Sequence, residues 1–423
     1  MHVFKFGGAS VKDANGVINL GNILTKYADK NLLIVVSAMG KTTDLLEELT
    51  QSYFQQKENS AALLQQLKTY HSDVLRALFP DENHPVYNQV ANLIVEIEWV
   101  LEEPPMDDYD YLYDQIVAVG ELLSSTIVSH HLNARGLKNQ WLDARSYIIT
   151  DNTHREARVN WEITECRVQQ DIPAILAKEM VVTQGFIGST SENFTTTLGR
   201  DGSDYSAAIF AACLPADDIT IWKDVPGVLN ADPKWFDETQ LIPELSYLDA
   251  IELAYYGANI IHPKTIKPLQ NKDIALYVKS FIDTENGGTQ IRTTKEALPI
   301  PSFIFKINQV LISILPKDFS FIVEDNLSDI FNRFHRYRIK VNMMHNSAVS
   351  FSVSVDDTGD NINELLRDLQ ERYAVQEQRG LELITIRHYN NQTIARVLVE
   401  KEIIMELKDS YTCQLLVKKQ GMG

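Results

Sequence analysis

An α/β layered domain followed by a smaller α+β module is the architecture the sequence predicts, and three observations predict it. Short apolar runs alternate with stretches of helical periodicity from Val3 to Val278. A turn-rich segment, Asp283 to Gly288, and the proline-flanked Leu298-Pro299-Ile300-Pro301 then interrupt that rhythm. Beyond Ser302 the pattern reads strand, helix, strand, strand, helix, strand, the order of a ferredoxin-like module. The predicted domains are therefore 1–297 and 302–423.

The first elements come in order. Val3 to Phe6 is a short apolar strand that feeds Gly7-Gly8; Val17, Leu20, Leu24 and Tyr27 recur at helical spacing; Leu32 to Val36 is a continuous aliphatic strand. Strand, helix, strand in so short a span implies a βαβ unit. Helices are predicted over Ala61 to Leu78, Val86 to Leu101 and Tyr111 to Leu132, with an acidic, proline-containing loop at Glu102 to Asp110. Strands return at Met180 to Val182, Ile219 to Trp222 and Ala275 to Val278, with a helix at Tyr205 to Cys213. In the second domain, strands are predicted at Val310 to Leu315, Lys340 to Met344, Val349 to Val355 and Leu383 to Arg387. Helices there cover Leu327 to Tyr337 and Ile362 to Tyr373, and a short mixed tail follows.

Composition narrows the functional classes. With 39 Lys+Arg against 57 Asp+Glu the net charge is −18, which argues against a nucleic-acid-binding surface. A 44% apolar content over 423 residues supplies cores for two or three domains. No basic, apolar leader and no long uncharged apolar run occurs, so a protein without membrane contact is expected. Cys166, Cys213 and Cys413 are too scattered for a disulfide framework or a cysteine zinc site, and the cytoplasm is the expected compartment.

Several residues stand in places where chemistry competes with a plainer structural explanation. Lys5 lies inside an apolar strand directly before Gly7 and Gly8, where an ammonium needs a negative partner; a phosphate cradled by glycine N–H groups would serve, as would a snorkelling edge position. Val35 to Thr43, containing Ser37 and Gly40-Lys41-Thr42-Thr43, ends like a P-loop but lacks its opening glycine, which disfavours a P-loop NTPase. The densest polar cluster is Thr197 to Ser206. Arg200 offers a fork for a carboxylate or phosphate there, and Asp204 can hold a metal or orient a donor, while Ser203 or Asp204 could instead cap the following helix. Glu121 reads as a buried acid awaiting an amine or as a surface helix carboxylate. Lys223-Asp224, with Lys234 shortly after, reads as a nucleotide contact or as plain turn chemistry. Zinc-hydrolase, serine-hydrolase and dinucleotide fingerprints are absent from the sequence.

Taken together, Lys5 to Val11, Val36 to Gly40, Gly120-Glu121-Leu122, Thr197 to Ser206, Asp224 to Gly227 and Ile261-His262-Pro263 resemble the aspartate kinases in identity, order and spacing. The resemblance implies the amino-acid kinase fold, an αβα sandwich around a mostly parallel sheet. It also implies ATP-dependent phosphorylation of the β-carboxylate of L-aspartate, with Mg2+, at the entry to lysine, threonine, methionine and diaminopimelate biosynthesis. By the same resemblance Arg200 takes the substrate α-carboxylate, Glu121 its amino group, and Thr43 and Ser203 help seat it. Lys5 neutralises the transferring phosphoryl group and Asp204 orients the reacting groups. Gly7, Gly8 and Ser37 line the phosphate path, and Asp224 and Lys234 hold the nucleotide. Ala9, Lys223 and Asn259 depart from the usual pattern; Asn259 replaces a cation that Lys223 or Lys264 would supply.

The C-terminal part resembles an ACT regulatory region, with one full module from Val310 and a truncated second. The effector-loop pattern is not evident in Leu315 to Phe321, and Ala348 replaces the usual Glu. An amino-acid effector and assembly as a homodimer or higher homo-oligomer are what this region implies. Two alternatives are compatible with the sequence: a kinase for glutamate or N-acetylglutamate, and a non-catalytic amino-acid sensor.

Overall fold

The computed structural model describes residues 1–236, 238–258, 261–294, 300–318 and 320–420. It divides into two compact units. The first comprises 1–228, 241–251 and 260–297; the second comprises 229–240, 252–259 and 298–423, so it draws two segments from within the span predicted for the first domain.

In the first unit the chain runs β1 (His2–Phe6), α1 (Ala14–Thr25), β2 (Leu32–Val36), α2 (Thr42–Phe54), α3 (Ser60–Leu78), α4 (Pro85–Glu102), α5 (Tyr109–Val117), α6 (Val119–Ala134) and β3 (Asn139–Leu142). It continues through α7 (Trp161–Leu176), β4 (Met180–Gln184), β5 (Ile187–Ser189), β6 (Thr195–Thr197), α8 (Gly202–Cys213), β7 (Asp218–Lys223), β8 (Glu244–Ser246), α9 (Tyr247–Tyr256, whose residues from Glu252 onward belong to the second unit), α10 (Pro263–Lys272), β9 (Ala275–Ser280) and β10 (Thr289–Arg292). Among the described residues the main sheet has the order β3-β4-β2-β1-β7-β9-β10-β8. Every neighbouring pair is parallel except β9 with β10. Strand β2 is buried along its whole length, as expected of a parallel strand with helices on both faces.

Two helices differ from expectation. The predicted helix Tyr111 to Leu132 is two helices, α5 and α6, meeting at Ala118. The Glu121 N–H reaches back only three residues, to the Ala118 carbonyl at 3.2 Å. A Cβ on Gly120 would lie 3.1 Å from Ala38 Cβ and 3.1 Å from Leu46 Cδ1, so the chain presses against its neighbours there. Helix α8 begins at Gly202 rather than Tyr205, which puts Ser203 and Asp204 inside its first turn. The capping position is Asp201, left-handed at φ 55° and without a side-chain cap bond, so capping does not account for Ser203 or Asp204.

The second unit is built on β11 (Ser302–Pro316), α11 (Glu324–Arg336), β12 (Val341–Asn346), β13 (Phe351–Asp356), α12 (Asp360–Arg372), β14 (Tyr373–Arg387), α13 (Asn391–Val397), β15 (Lys401–Lys408) and β16 (Thr412–Lys419). Its strands form one antiparallel sheet, β12-β13-β11-β14-β16-β15. Strands β11 and β14 are far longer than the predicted Val310 to Leu315 and Leu383 to Arg387. Each serves two halves of the sheet, with register shifts between Lys306 and Leu311 where the halves meet. One half packs α11 and α12 over Val310, Ile312, Ile314, Phe351, Val353 and Val355. The tail supplies the other half with α13 and the β15–β16 hairpin, and Ile384, Ile386, Leu415 and Val417 form its core.

Candidate active site

Parallel pairing sets the site. Phe6 stands beside Val36 on one side and Trp222 on the other, and Val36 stands beside Gln184. The loops leaving these four strands therefore emerge side by side at the carboxyl edge, where open α/β sheets bind ligands. Gly8 is where the first two loops touch. A Cβ there would lie 2.7 Å from the Ala38 carbonyl oxygen, and the Gly40 N–H donates to the Gly8 carbonyl at 3.0 Å.

Lys5, on the central strand, is 8% exposed and meets Asp204 with its ammonium 2.7 Å from Oδ1. Lys223, at the end of β7, faces the other carboxylate oxygen at 3.8 Å. Burial pushes the Asp204 carboxyl up, but the Lys5 and Lys223 charges and the Lys5 hydrogen bond outweigh it and hold the group below its ordinary range. Asp204 also sits in the first turn of α8, where the helix favours negative charge. The two cations and one anion leave a local positive excess beside the glycine turn. Gly7 is so placed that a Cβ would be 3.4 Å from the Lys5 ammonium.

Glu121 occupies the first turn of α6 and is buried. Its Oε1 accepts the Ala38 N–H at 3.2 Å, while Oε2 has no hydrogen-bond partner. Burial pushes its carboxyl up to about 8, against the pull of the Ala38 N–H and the Lys5 charge. The carboxylate is therefore buried rather than on a helix surface. Ser37 is also buried; its N–H donates to the Phe6 carbonyl at 3.1 Å and its carbonyl accepts the Ser124 hydroxyl at 2.7 Å, which ties the β2 loop to α6.

The remaining expected residues are placed unevenly. Ser203 is buried and Thr43 is half-buried in the first turn of α2. Arg200 lies on the loop before α8 with a largely exposed side chain, 3.7 Å from Asp201. Asp224 is exposed just beyond β7, and Lys264 is exposed in the first turn of α10. Lys234 belongs to the second unit, in an exposed turn where its N–H donates to Asp232 at 2.8 Å. Asn259 lies outside the described residues. Two residues were not singled out from the sequence. Thr42 is buried with an unpartnered hydroxyl beside Thr43, and local pattern does not say which of two adjacent threonines turns inward. Asp114 is fully buried, yet it is one acid among several in an acidic stretch.

This arrangement, a buried lysine–aspartate pair and an unsatisfied buried acid at the carboxyl edge of a parallel sheet, can receive an anion and an ammonium side by side. The amino acid kinase family model matches residues 1–280. Lysine-sensitive aspartokinase 3 of Escherichia coli (strain K12) is 30% identical over 394 residues, covering 91% of this chain and 86% of that protein. The chain belongs to the aspartokinases of the amino acid kinase family. The aspartokinase of Chlamydia pneumoniae is 32% identical over 289 residues, 68% of this chain and 62% of that protein. The crystal structure of E. coli aspartokinase III in complex with aspartate and ADP, an R-state, matches with a TM-score of 0.83 at 28% identity, over 99% of this chain and 96% of the other. The T-state complex of the same aspartokinase with lysine and aspartate matches with a TM-score of 0.84.

Proposed function

We propose that the chain transfers the γ-phosphoryl group of ATP to the β-carboxylate of L-aspartate, giving 4-phospho-L-aspartate and ADP. This is the entry reaction to lysine, threonine and methionine biosynthesis. The observation that carries the reading is Glu121. A buried carboxylate with one oxygen unpartnered suits an α-ammonium group, and an N-acetylated substrate would offer it no positive charge.

The chemistry asks little of the protein beyond placement and charge. A carboxylate is already a nucleophile at neutral pH, so no general base is needed, and two anions must be brought together. Lys5 neutralises charge on the phosphoryl oxygens during transfer, and Asp204 holds the Lys5 ammonium in position. Lys223 adds a second cation on the same carboxylate. Gly7, Gly8 and Ser37 line the phosphate path, and Asp224 holds the nucleotide. Arg200 takes the substrate α-carboxylate, with Thr43 and Ser203 beside it. The nucleotide roles of Lys234 and Asn259 rest on the family resemblance alone.

Mg2+ fits this donor set as an ion carried by the nucleotide. No group of three or more His, Cys, Asp or Glu is placed to hold a metal among the described residues, and magnesium is commonly held by one or two carboxylates plus substrate phosphates and water. Asp204 is the carboxylate that would hold it, and the ion would neutralise phosphate charge. We also propose an amino-acid effector at the ACT-like unit, a homodimer or higher homo-oligomer, and a cytoplasmic location. No helix among the described residues is long and apolar enough to cross a membrane.

The test is a coupled ADP-release assay with Mg-ATP and L-aspartate, run against L-glutamate and N-acetyl-L-glutamate and repeated with lysine and threonine. Turnover on aspartate alone is expected. Turnover on N-acetyl-L-glutamate in preference would overturn the role of Glu121, and absence of turnover on all three would leave a ligand-binding sensor.

A further inference from the structure

A buried acid that the proposed mechanism does not use stands behind the substrate loop. Asp114, on α5, is fully buried and collects donors from two other segments. The Thr197 hydroxyl donates to Oδ1 at 2.6 Å, and the Arg155 N–H donates to both oxygens, at 3.2 and 3.1 Å. His154 Nδ1 lies 2.9 Å from Oδ2. A carboxylate is acceptor-only on two oxygens, which is what so many converging donors require.

The segments gathered in this way carry the loop of Arg200. Thr197 ends β6 and is followed at once by Leu198-Gly199-Arg200. The Ala157 N–H donates to the Thr197 carbonyl at 2.9 Å. A Cβ on Gly199, where φ is +77°, would lie 3.1 Å from the Arg155 carbonyl oxygen, so the 154–157 segment is the wall against which the Arg200 loop rests. Arg155 itself holds a left-handed φ of 66°, an uncommon conformation for a non-glycine residue. Its N–H is the one Asp114 grips, and its guanidinium lies 4.6 Å from the Tyr113 ring centre and 3.2 Å from Asp110. The Arg200 side chain is mostly exposed, with Asp201 at 3.7 Å, so the backbone beneath it sets where its guanidinium can reach.

We infer that Asp114 is a positioning residue for aspartate recognition: by tying Thr197, His154 and the left-handed Arg155 backbone together, it fixes the loop that presents Arg200 to the substrate α-carboxylate. The inference rests on the proposed role of Arg200. Asp114 is buried among Thr197, His154 and Arg155 and acts through Gly199 and Arg200.

Steady-state kinetics of the full chain test this with four variants, Asp114→Asn, Thr197→Val, Arg200→Ala and Asp114→Asn/Arg200→Ala. Asp114→Asn should raise the KM for aspartate about tenfold, and Thr197→Val about threefold, with the KM for ATP within about twofold of wild type. In the Arg200→Ala background, Asp114→Asn should add less than about twofold, because its effect passes through the missing guanidinium. An Asp114→Asn protein that melts earlier but keeps the wild-type KM for aspartate would reduce the residue to a structural tether and sink the inference. Equal rises in both KM values, or full additivity with Arg200→Ala, would do the same. If Asp114→Asn does not fold, Thr197→Val decides on the same criterion. An unchanged KM for aspartate in Arg200→Ala would overturn the proposed Arg200 role and this inference with it. A raised value there with no effect of Asp114→Asn or Thr197→Val would overturn only the positioning role.

Discussion

The two units handle buried charge in opposite ways. Among the described residues, the fully ionisable side chains buried in the first unit include Lys5, Asp114, Glu121 and Asp204, all on the elements that frame the sheet's carboxyl edge. Among the described residues of the second unit the buried charged side chain is Arg387, and its core consists of apolar clusters on an antiparallel sheet. Desolvating a charge is costly unless a partner compensates. The first unit offsets that cost for Lys5, Asp204 and Asp114 with partners inside the protein and leaves one oxygen of Glu121 without one, and the second places its stability in apolar packing.

Within the first unit the two acids of the site divide again. Asp204 has its cations within the protein and is held ionised, whereas Glu121 lacks one and is pushed up to about 8. Perturbation of that kind is typical of groups that await chemistry or a ligand. The contrast sets Glu121, an acid with no ion pair among the described residues, against Asp204, which Lys5 and Lys223 hold.

The comparison can be broken most directly at Lys5. Lys5→Met should lower kcat by about a thousandfold, as expected for removal of a preorganised charge at the transferring group; a drop of less than about tenfold in ADP release would show that Lys223 alone suffices. Ile312→Ala, in the apolar core of the second unit, should instead cost about 2–4 kcal/mol of stability in urea unfolding. Its KM for aspartate should stay within about twofold, and a large change there would mean that the division of labour between the units is wrong.

Glu121→Gln sharpens the contrast on a smaller scale. It removes a charged contact to the substrate ammonium and should raise the KM for aspartate about thirtyfold, equivalent to roughly 2 kcal/mol. The pH dependence carries a sign. The folded-state value of Glu121 is raised from the ordinary 4.5 to about 8, so its contribution to stability is fully present below 4.5 and is lost as pH rises through 8. Glu121→Gln should therefore gain in melting temperature relative to wild type between pH 5 and pH 9. Aspartate binding should also release close to one proton at pH 7, because the arriving ammonium ionises Glu121. Calorimetry in buffers of different ionisation enthalpy reads this directly, and proton uptake or no exchange would contradict it.

Much of the site was legible because its residues violate local rules. Lys5 interrupts an apolar strand, and Arg200 to Asp204 crowd polar groups between glycines before a helix. Glu121 was ambiguous, since its neighbours Leu122 and Leu123 suit a buried helix as well as a half-buried one. Asp114 was invisible: its partners, His154, Arg155 and Thr197, come from segments 40 to 83 residues away. The helix Tyr111 to Leu132 was read as one because apolar periodicity continues through Ala118, whereas the break falls beside Gly120, where an added Cβ would crowd Ala38 and Leu46. In the second unit, strands β11 and β14 were read short because polar residues at Lys306 to Gln309 and Glu377 to Gly380 interrupt the apolar pattern while pairing across the sheet continues.

What the sequence by itself determined is the set of local conformations and the motif blocks: the apolar strands, the glycine turns at their ends, and the charged residues placed beside them. These depend on near neighbours, on side-chain period and on backbone freedom. The tertiary structure alone decided which groups meet. Parallel pairing of β1 with β2 and β7 carries Lys5 and Lys223 to the same edge, and α8 brings Asp204 between them. The packing of α6 beneath the β2 loop takes Glu121 out of water and leaves one of its oxygens open. Charge becomes selective only when water is removed around it, and that removal is a property of packed elements rather than of any one segment.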